Sequence, residues 1–282
     1  MLIKVRGLLA VLLVVLLSGC SVKMGYNNID RIIRWGVNDY IDLNFAQKEV
    51  LERELDLIHS WHRKNHLPQY AAVTRELARK LPDGVSVVAV VELNEQFEFW
   101  SDEVEAQFSP MVVDIMSSLS DEQVSALPAR MAESNAEWAE DESDRTLRAA
   151  QLNWAEQFGD ALKNFTGRLN KSQKTYLERR SLEYQPERVM WSDYRHRFQM
   201  ALMELLDDRQ DKPEFATAYR ALVAKRKSFY GDELTAVFDN NQRLNHEVTA
   251  HILSNLTEKQ SAKFVDELLD LGEDFTELAA EV

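Results

Sequence analysis

A chain of 282 residues with a formal charge of −14, 45% hydrophobic residues and one cysteine excludes several functions at the outset. Acidity of this size supplies no net field for nucleic acid or an anionic membrane surface. A single cysteine leaves no intramolecular disulfide and no multi-cysteine metal site.

The chain opens MLIKVRGLLAVLLVVLLSGC. Lys4 and Arg6 precede an apolar run from Leu8 to Leu17, long enough for the core of a signal peptide and too short to span a bilayer. The run closes in Leu17-Ser18-Gly19-Cys20, which resembles a bacterial lipobox. The resemblance implies a signal peptide over 1–19, cleavage before Cys20, a lipid on its sulfur and acylation of the new amino terminus. Several acyl chains on one residue give stable attachment, where one gives marginal binding. Ser21, where a retained lipoprotein of a Gram-negative bacterium carries Asp, favours the outer membrane with the body in the periplasm. Loss of Lys4 and Arg6 takes the charge from −14 to −16. Residues 20–27 then read as a lipidated tether and 28–282 as a single helical domain.

Nine glycines and six prolines punctuate long charged and apolar segments with a period near 3.6, so the expected fold is all-α, an elongated multi-helix bundle. Helices are expected near 28–41, 45–66, 68–80, 86–108, 121–167, 171–184, 187–209, 213–230, 232–254 and 258–280. Breaks fall at LPDG (Leu81–Gly84), around Pro110, at Tyr184–Pro186 and at Asp211–Pro213. Val85–Leu93 has strand propensity. It lacks alternation and runs on into NEQFEFWSDEVEAQF, so helix is expected there.

One pattern recurs four times, as LNFAQ (Leu43–Gln47), LSDEQ (Leu119–Gln123), LNKSQ (Leu169–Gln173) and LTEKQ (Leu256–Gln260). A Ser, Thr or Asn followed by Gln three residues on is a capping box. The first side chain accepts from a free N–H of the opening turn, and the Gln reaches back to the N–H of the cap residue. Asn44/Gln47, Ser120/Gln123, Asn170/Gln173 and Thr257/Gln260 all fit. The leucine is left to point into the core from the incoming loop. The unequal spacing excludes a solenoid of fixed period. Leu-Thr-x-x-Gln motifs opening helices resemble those of the Spy/CpxP-type periplasmic proteins, all-helical ATP-independent chaperones or stress regulators. Tyr26–Leu77 and the overall layout resemble an uncharacterised family of Gram-negative lipoproteins, which implies a helical lipoprotein and no particular activity.

His59, His62 and His66 share one helical face, with His62 and His66 at the i, i+4 spacing of a metal pair. Arg63 after His62 excludes a His-Glu-x-x-His motif, and a polar border beside the core is the expected role. Lys163–Arg197 carries a net +5 and Asp121–Asp160 a net −7. The two segments either pair their charges, or Arg179, Arg180, Arg188, Arg195 and Arg197 form a basic face for an anionic partner. No Gly-rich phosphate loop, Gly-x-Ser-x-Gly or distinctive carboxylate pair occurs, so no catalytic residue and no cofactor is expected. The expected role is non-enzymatic: membrane attachment through Cys20, with protein-binding or chaperone-like action on envelope proteins. The alternative is an assembly accessory docking one partner through the basic face.

Overall fold

The computed structural model describes residues 19–140 and 146–281, with side chains from 22 to 137 and 146 to 281. Expectations for the signal peptide, and for the Cys20 side chain, lie outside the described residues. Everything described is helix or connection, and no strand occurs among the described residues. In chain order the helices are α1 Gly19–Tyr26, α2 Ile29–Asn38, α3 Phe45–Asn65, α4 Leu67–Lys80, α5 Val87–Ser117 and α6 Asp121–Glu140. They continue as α7 Leu147–Thr166, α8 Lys171–Arg180, α9 Arg188–Leu206, α10 Lys212–Ala224, α11 Gly231–Ser254 and α12 Glu258–Ala280, with short 3-10 turns at Leu81–Asp83, Ser181–Glu183 and Arg226–Phe229.

The helices expected over 171–184 and 213–230 end at Arg180 and Ala224, where 3-10 turns follow, and three further boundaries differ more deeply from those read in the sequence. The long helix expected over 121–167 is interrupted by Thr146, which is extended and caps α7 by accepting from the Ala149 N–H. α5 runs through Pro110 to Ser117 instead of ending near 108. A proline inside a helix costs about 3 kcal/mol. Here the following residues Met111, Val112, Val113, Ile115 and Met116 are all buried, and their packing holds the helix together across it. The tether expected at 20–27 is instead helix α1. Val22 and Tyr26, one turn apart, are buried at 2% and 4% exposure with Leu67, Ala71, Phe275 and Leu278. Lys23 pairs with Asp274 and Glu277 on α12, and the Asn27 amide donates to Glu281. The start of the described chain is therefore bolted to its end.

The largest core joins α2, α3, the second half of α5, α6, α9, α10 and the start of α11 around Leu51, Leu55, Met111, Leu206, Phe215 and Tyr219. A second layer is organised by α12, which lies along α4 and also touches α7, α1 and α3. The α4–α12 approach is close because Gly272 faces Thr74. A Cβ at 272 would stand 2.7 Å from the Thr74 hydroxyl oxygen. Smaller clusters seat α8 and α7 on α11 through Leu169, Leu177, Leu244, Val248 and Ile252, and α4 on α12 through Ala78, Leu81, Phe264 and Leu268.

Candidate functional site

Each repeated motif opens a helix with its capping box complete. Asn44, Ser120, Asn170 and Thr257 accept from the N–H of Gln47, Gln123, Gln173 and Gln260. Each Gln Oε1 accepts in return from the cap residue's own N–H, at 2.9, 2.9, 2.9 and 3.0 Å. The motifs do more than cap, because they pair. Gln47 Nε2 donates to Gln123 Oε1 at 3.1 Å and Gln123 Nε2 to Gln47 Oε1 at 2.8 Å. Gln173 and Gln260 exchange the same two bonds at 3.1 and 3.0 Å. The second hydrogen of every Nε2 goes to the carbonyl five residues before the partner glutamine. Gln47 reaches Ser118, Gln123 reaches Asp42, Gln173 reaches Asn255 and Gln260 reaches Arg168.

Every glutamine thus uses both acceptor sites and both donors, a full complement for a primary amide. Turning any amide over would aim its NH2 at the cap N–H, so the network fixes the orientation. Gln47, Gln173 and Gln260 are buried at 3%, 3% and 7%, and Gln123 is half-buried. Glutamate would serve in an ordinary capping box. Here it could not donate to the partner amide or carbonyl, which accounts for glutamine in all four copies. The leading leucines Leu43, Leu119 and Leu169 are buried in the core and Leu256 packs half-buried beside it.

His59 and His62 lie on α3 and His66 at its junction with α4, and no group of three or more His, Cys, Asp or Glu able to hold a metal occurs among the described residues. They form an aromatic stack instead. His62 and His66 are parallel, with ring centroids 5.0 Å apart, and His59 packs on Tyr26 at 4.7 Å. The Tyr26 hydroxyl lies 2.9 Å from His62 Nδ1, and His62 Nε2 lies 3.3 Å from the Tyr70 hydroxyl. Burial, with the neighbouring histidines and Arg63, lowers His62 from 6.5 to about 3. Burial, and then the Arg63 charge, lowers His59 too. At His66 burial lowers the ring and only the Glu103 charge opposes it. Burial raises the Tyr26 and Tyr70 hydroxyls. The stack is a neutral lock that seats α1 on α3 and α4.

The five arginines do not make one basic face. Arg195 is buried at 4% and reaches Ser134 Oγ. Arg180 is held by Glu183, Glu247 and the Tyr176 hydroxyl. Arg197 donates to the carbonyls of Phe229 and Tyr230. Arg188 is half-buried, and of the five Arg179, lying 5.5 Å over the Tyr176 ring, and Arg197 are exposed. Consecutive charges on a helix point to different sides. Their density in the sequence is absorbed by neighbouring acids and carbonyls.

The surface that does stand open is the first half of α5. None of the four apolar clusters among the described residues draws on Val87–Phe99, although this stretch holds Val87, Val88, Val90, Val91, Leu93, Phe97 and Phe99. Val88 and Phe99 are 65% and 57% exposed. With the exposed Glu92 and Glu95 between them they form one stripe at i, i+4, i+7 and i+11. Polar contacts hold this half-helix in place. Val85 exchanges two bonds with the Ser254 hydroxyl, Gln242 donates to Glu98, and the Trp100 indole donates to Gln69. Sequence reading assigned the stretch to helix and missed its exposure, because its apolar content alone reads as core.

A family model, the family of unknown function DUF6279, matches residues 39–235. The chain belongs to that family. The DUF6279 match takes in Gln47, Gln123, Gln173, the histidines and the open half of α5, and ends before Gln260. No curated protein and no solved structure matches the chain.

Proposed function

We propose that this DUF6279 member is a lipoprotein of the Gram-negative outer membrane, anchored through Cys20 and facing the periplasm. In this reading it binds other envelope polypeptides without ATP and without catalysis. The observation that carries the binding role is the uncovered first half of α5. A soluble body that leaves Val88 and Phe99 in water on a long, rigid helix presents a contact surface. Glu92 and Glu95 between them favour segments that pair apolar with basic side chains. The lipobox-like Leu17–Cys20 supports the anchor, and the likeness of the four motifs to those of Spy/CpxP-type proteins supports chaperone-like action. The paired glutamines support it too, since they hold helix corners rigid while leaving helix faces free.

The test is suppression of aggregation. A denatured model protein is diluted into buffer without nucleotide, with and without the lipoprotein, and light scattering is followed. The wild type lowers scattering. Val88→Ser with Phe99→Ser loses most of that effect at an unchanged melting temperature, because both side chains are already exposed. Equal activity of the double variant, or an inactive wild type, overturns the reading.

A further inference from the structure

The helices that follow the lipid attachment point carry a second uncovered face. α1 and α2 are separated only by Asn27 and Asn28, and hydrogen bonds from the N–H groups of Asn27, Asn28, Arg31 and Ile32 keep the turn helix-like. Two stripes run along this pair. Val22 and Tyr26, 2% and 4% exposed, pack with α4 and α12, and Val37, 2% exposed, packs with Ile33 against the main core. Met24, Ile32 and Trp35 stand elsewhere on the helices, exposed at 65%, 41% and 80%. Arg31, also exposed, lies beside them in sequence.

We propose that Met24, Ile32 and Trp35 enter the interface of the bilayer that holds the acyl chains of Cys20, so that α1 and α2 lie along the membrane. The proposal rests on the lipidation reading given above. Its occupant follows from where the described chain begins. Position 20 is one turn before Met24 in α1, and only two residues, about 3 Å of helix rise, before the buried Val22. No slack separates the anchor from the body, since α1 is fixed by Lys23 to Asp274 and Glu277. A lipid at position 20 therefore brings Met24 to the membrane surface. Trp is favoured at the headgroup level, where its ring is half apolar and its N–H stays wet, and Arg31 suits the phosphates. Acyl insertion and local apolar insertion offset the repulsion of the acidic body, which is screened beyond about 8 Å at physiological salt.

The experiment uses the mature protein, made in a Gram-negative host with its first nineteen residues and reconstituted into vesicles of phosphatidylethanolamine and phosphatidylglycerol. Mass analysis of the amino-terminal peptide reads the lipid on Cys20. Tryptophan emission is then compared with ordinary and with acyl-brominated lipids. The expected result is a bromine-quenched component that Trp35→Phe removes, a substitution that keeps an exposed apolar ring and leaves the fold intact. Lipid present by mass with equal quenching in wild type and Trp35→Phe overturns this proposal and leaves the anchor standing. Absence of the lipid overturns both. Self-crosslinking of Trp35→Cys without quenching of Trp35 also overturns it, and assigns the face to a second copy.

Discussion

The Gln47–Gln123 and Gln173–Gln260 pairs are the same device built twice from different parts. Their partners lie 76 and 87 residues apart. The caps are Asn and Ser in the first pair, Asn and Thr in the second. What is common to both is the leucine, the glutamine and the carbonyl five residues upstream. The second pair is buried on both sides, whereas the first has Gln123 half-buried and Ser118 Oγ as an extra acceptor for Gln47 at 3.2 Å. The lesson is that the cap position asks only for an oxygen acceptor, while the third position after it demands an amide that donates twice and accepts twice. The difference in burial should set how much each pair is worth.

The largest effect is expected from Gln260→Glu. It removes two donors in a buried site and puts a carboxylate against Gln173 Oε1 and the Arg168 carbonyl, so a loss of about 3 kcal/mol is expected in urea unfolding. The same placement raises the new carboxyl's pKa in the folded state. The loss relative to wild type at equal pH is then full at neutral pH and shrinks as pH falls and the group takes up its proton. A Gln260→Glu variant as stable as wild type at pH 7 would break the claim that the amide pair is a structural clamp. Gln173→Ala and Gln260→Ala should also be strongly non-additive in a double-mutant cycle, because each orphans one donor and one acceptor site of the other.

Comparable in size is an acid effect centred on the half of the molecule that the first pair organises, although burial lowers His246 and His251 on α11 as well. α3, opened by Gln47, ends in the histidine stack. His62 is lowered to about 3 from 6.5. The unfolded chain therefore takes up a proton as pH falls through 6.5 while the folded chain does not until about 3. Stability is full above 6.5 and is lost on the way down, by on the order of 3 kcal/mol at pH 4 from His62 alone. His59 and His66 shift in the same direction. Hydrogen exchange at pH 4 should show α1 and the end of α3 losing protection ahead of the Gln173–Gln260 corner. Uniform loss across both regions would contradict the lock.

How much of this was readable beforehand follows from the range of each interaction. The all-α class and the capping boxes are local, so 3.6-residue periodicity and an i, i+3 spacing disclosed them. The pairing of the motifs was invisible, since nothing within LTEKQ says which distant LNKSQ it will meet. The same holds for α1. Val22 and Tyr26 are an i, i+4 apolar pair, but eight residues carry too little pattern to oppose a tether, and the burial comes from Phe275 and Leu278 at the far end of the chain. Pro110 misled in the opposite direction, where the buried run Met111–Met116 overrode a local helix breaker. For the arginines between 179 and 197 charge counting left pairing and a basic face open, because it does not say which acids arrive from elsewhere, such as Glu247 at Arg180.

Gln123→Glu sharpens the comparison at smaller size. The same donors are lost toward Gln47 and the Asp42 carbonyl, but at a half-buried position where water can serve them, so about 1 kcal/mol is expected. A cost equal to that of Gln260→Glu would show that burial does not distinguish the two pairs.

The smallest effect is the one that separates cap from clamp. Thr257→Asn and Asn44→Ser each leave an oxygen to accept the N–H of the glutamine three residues on, and neither residue donates to the opposite motif. Both substitutions should change stability by less than about 0.5 kcal/mol, whereas Asn44→Ala should cost about 1 kcal/mol through the lost cap. If the exchanged caps cost as much as alanine, the identity of the first polar residue matters beyond accepting one hydrogen bond. The variation among Asn, Ser and Thr across the four copies would then need a separate cause. If they are silent, a motif tolerant at the cap and strict at the glutamine is what two reciprocal amide pairs require.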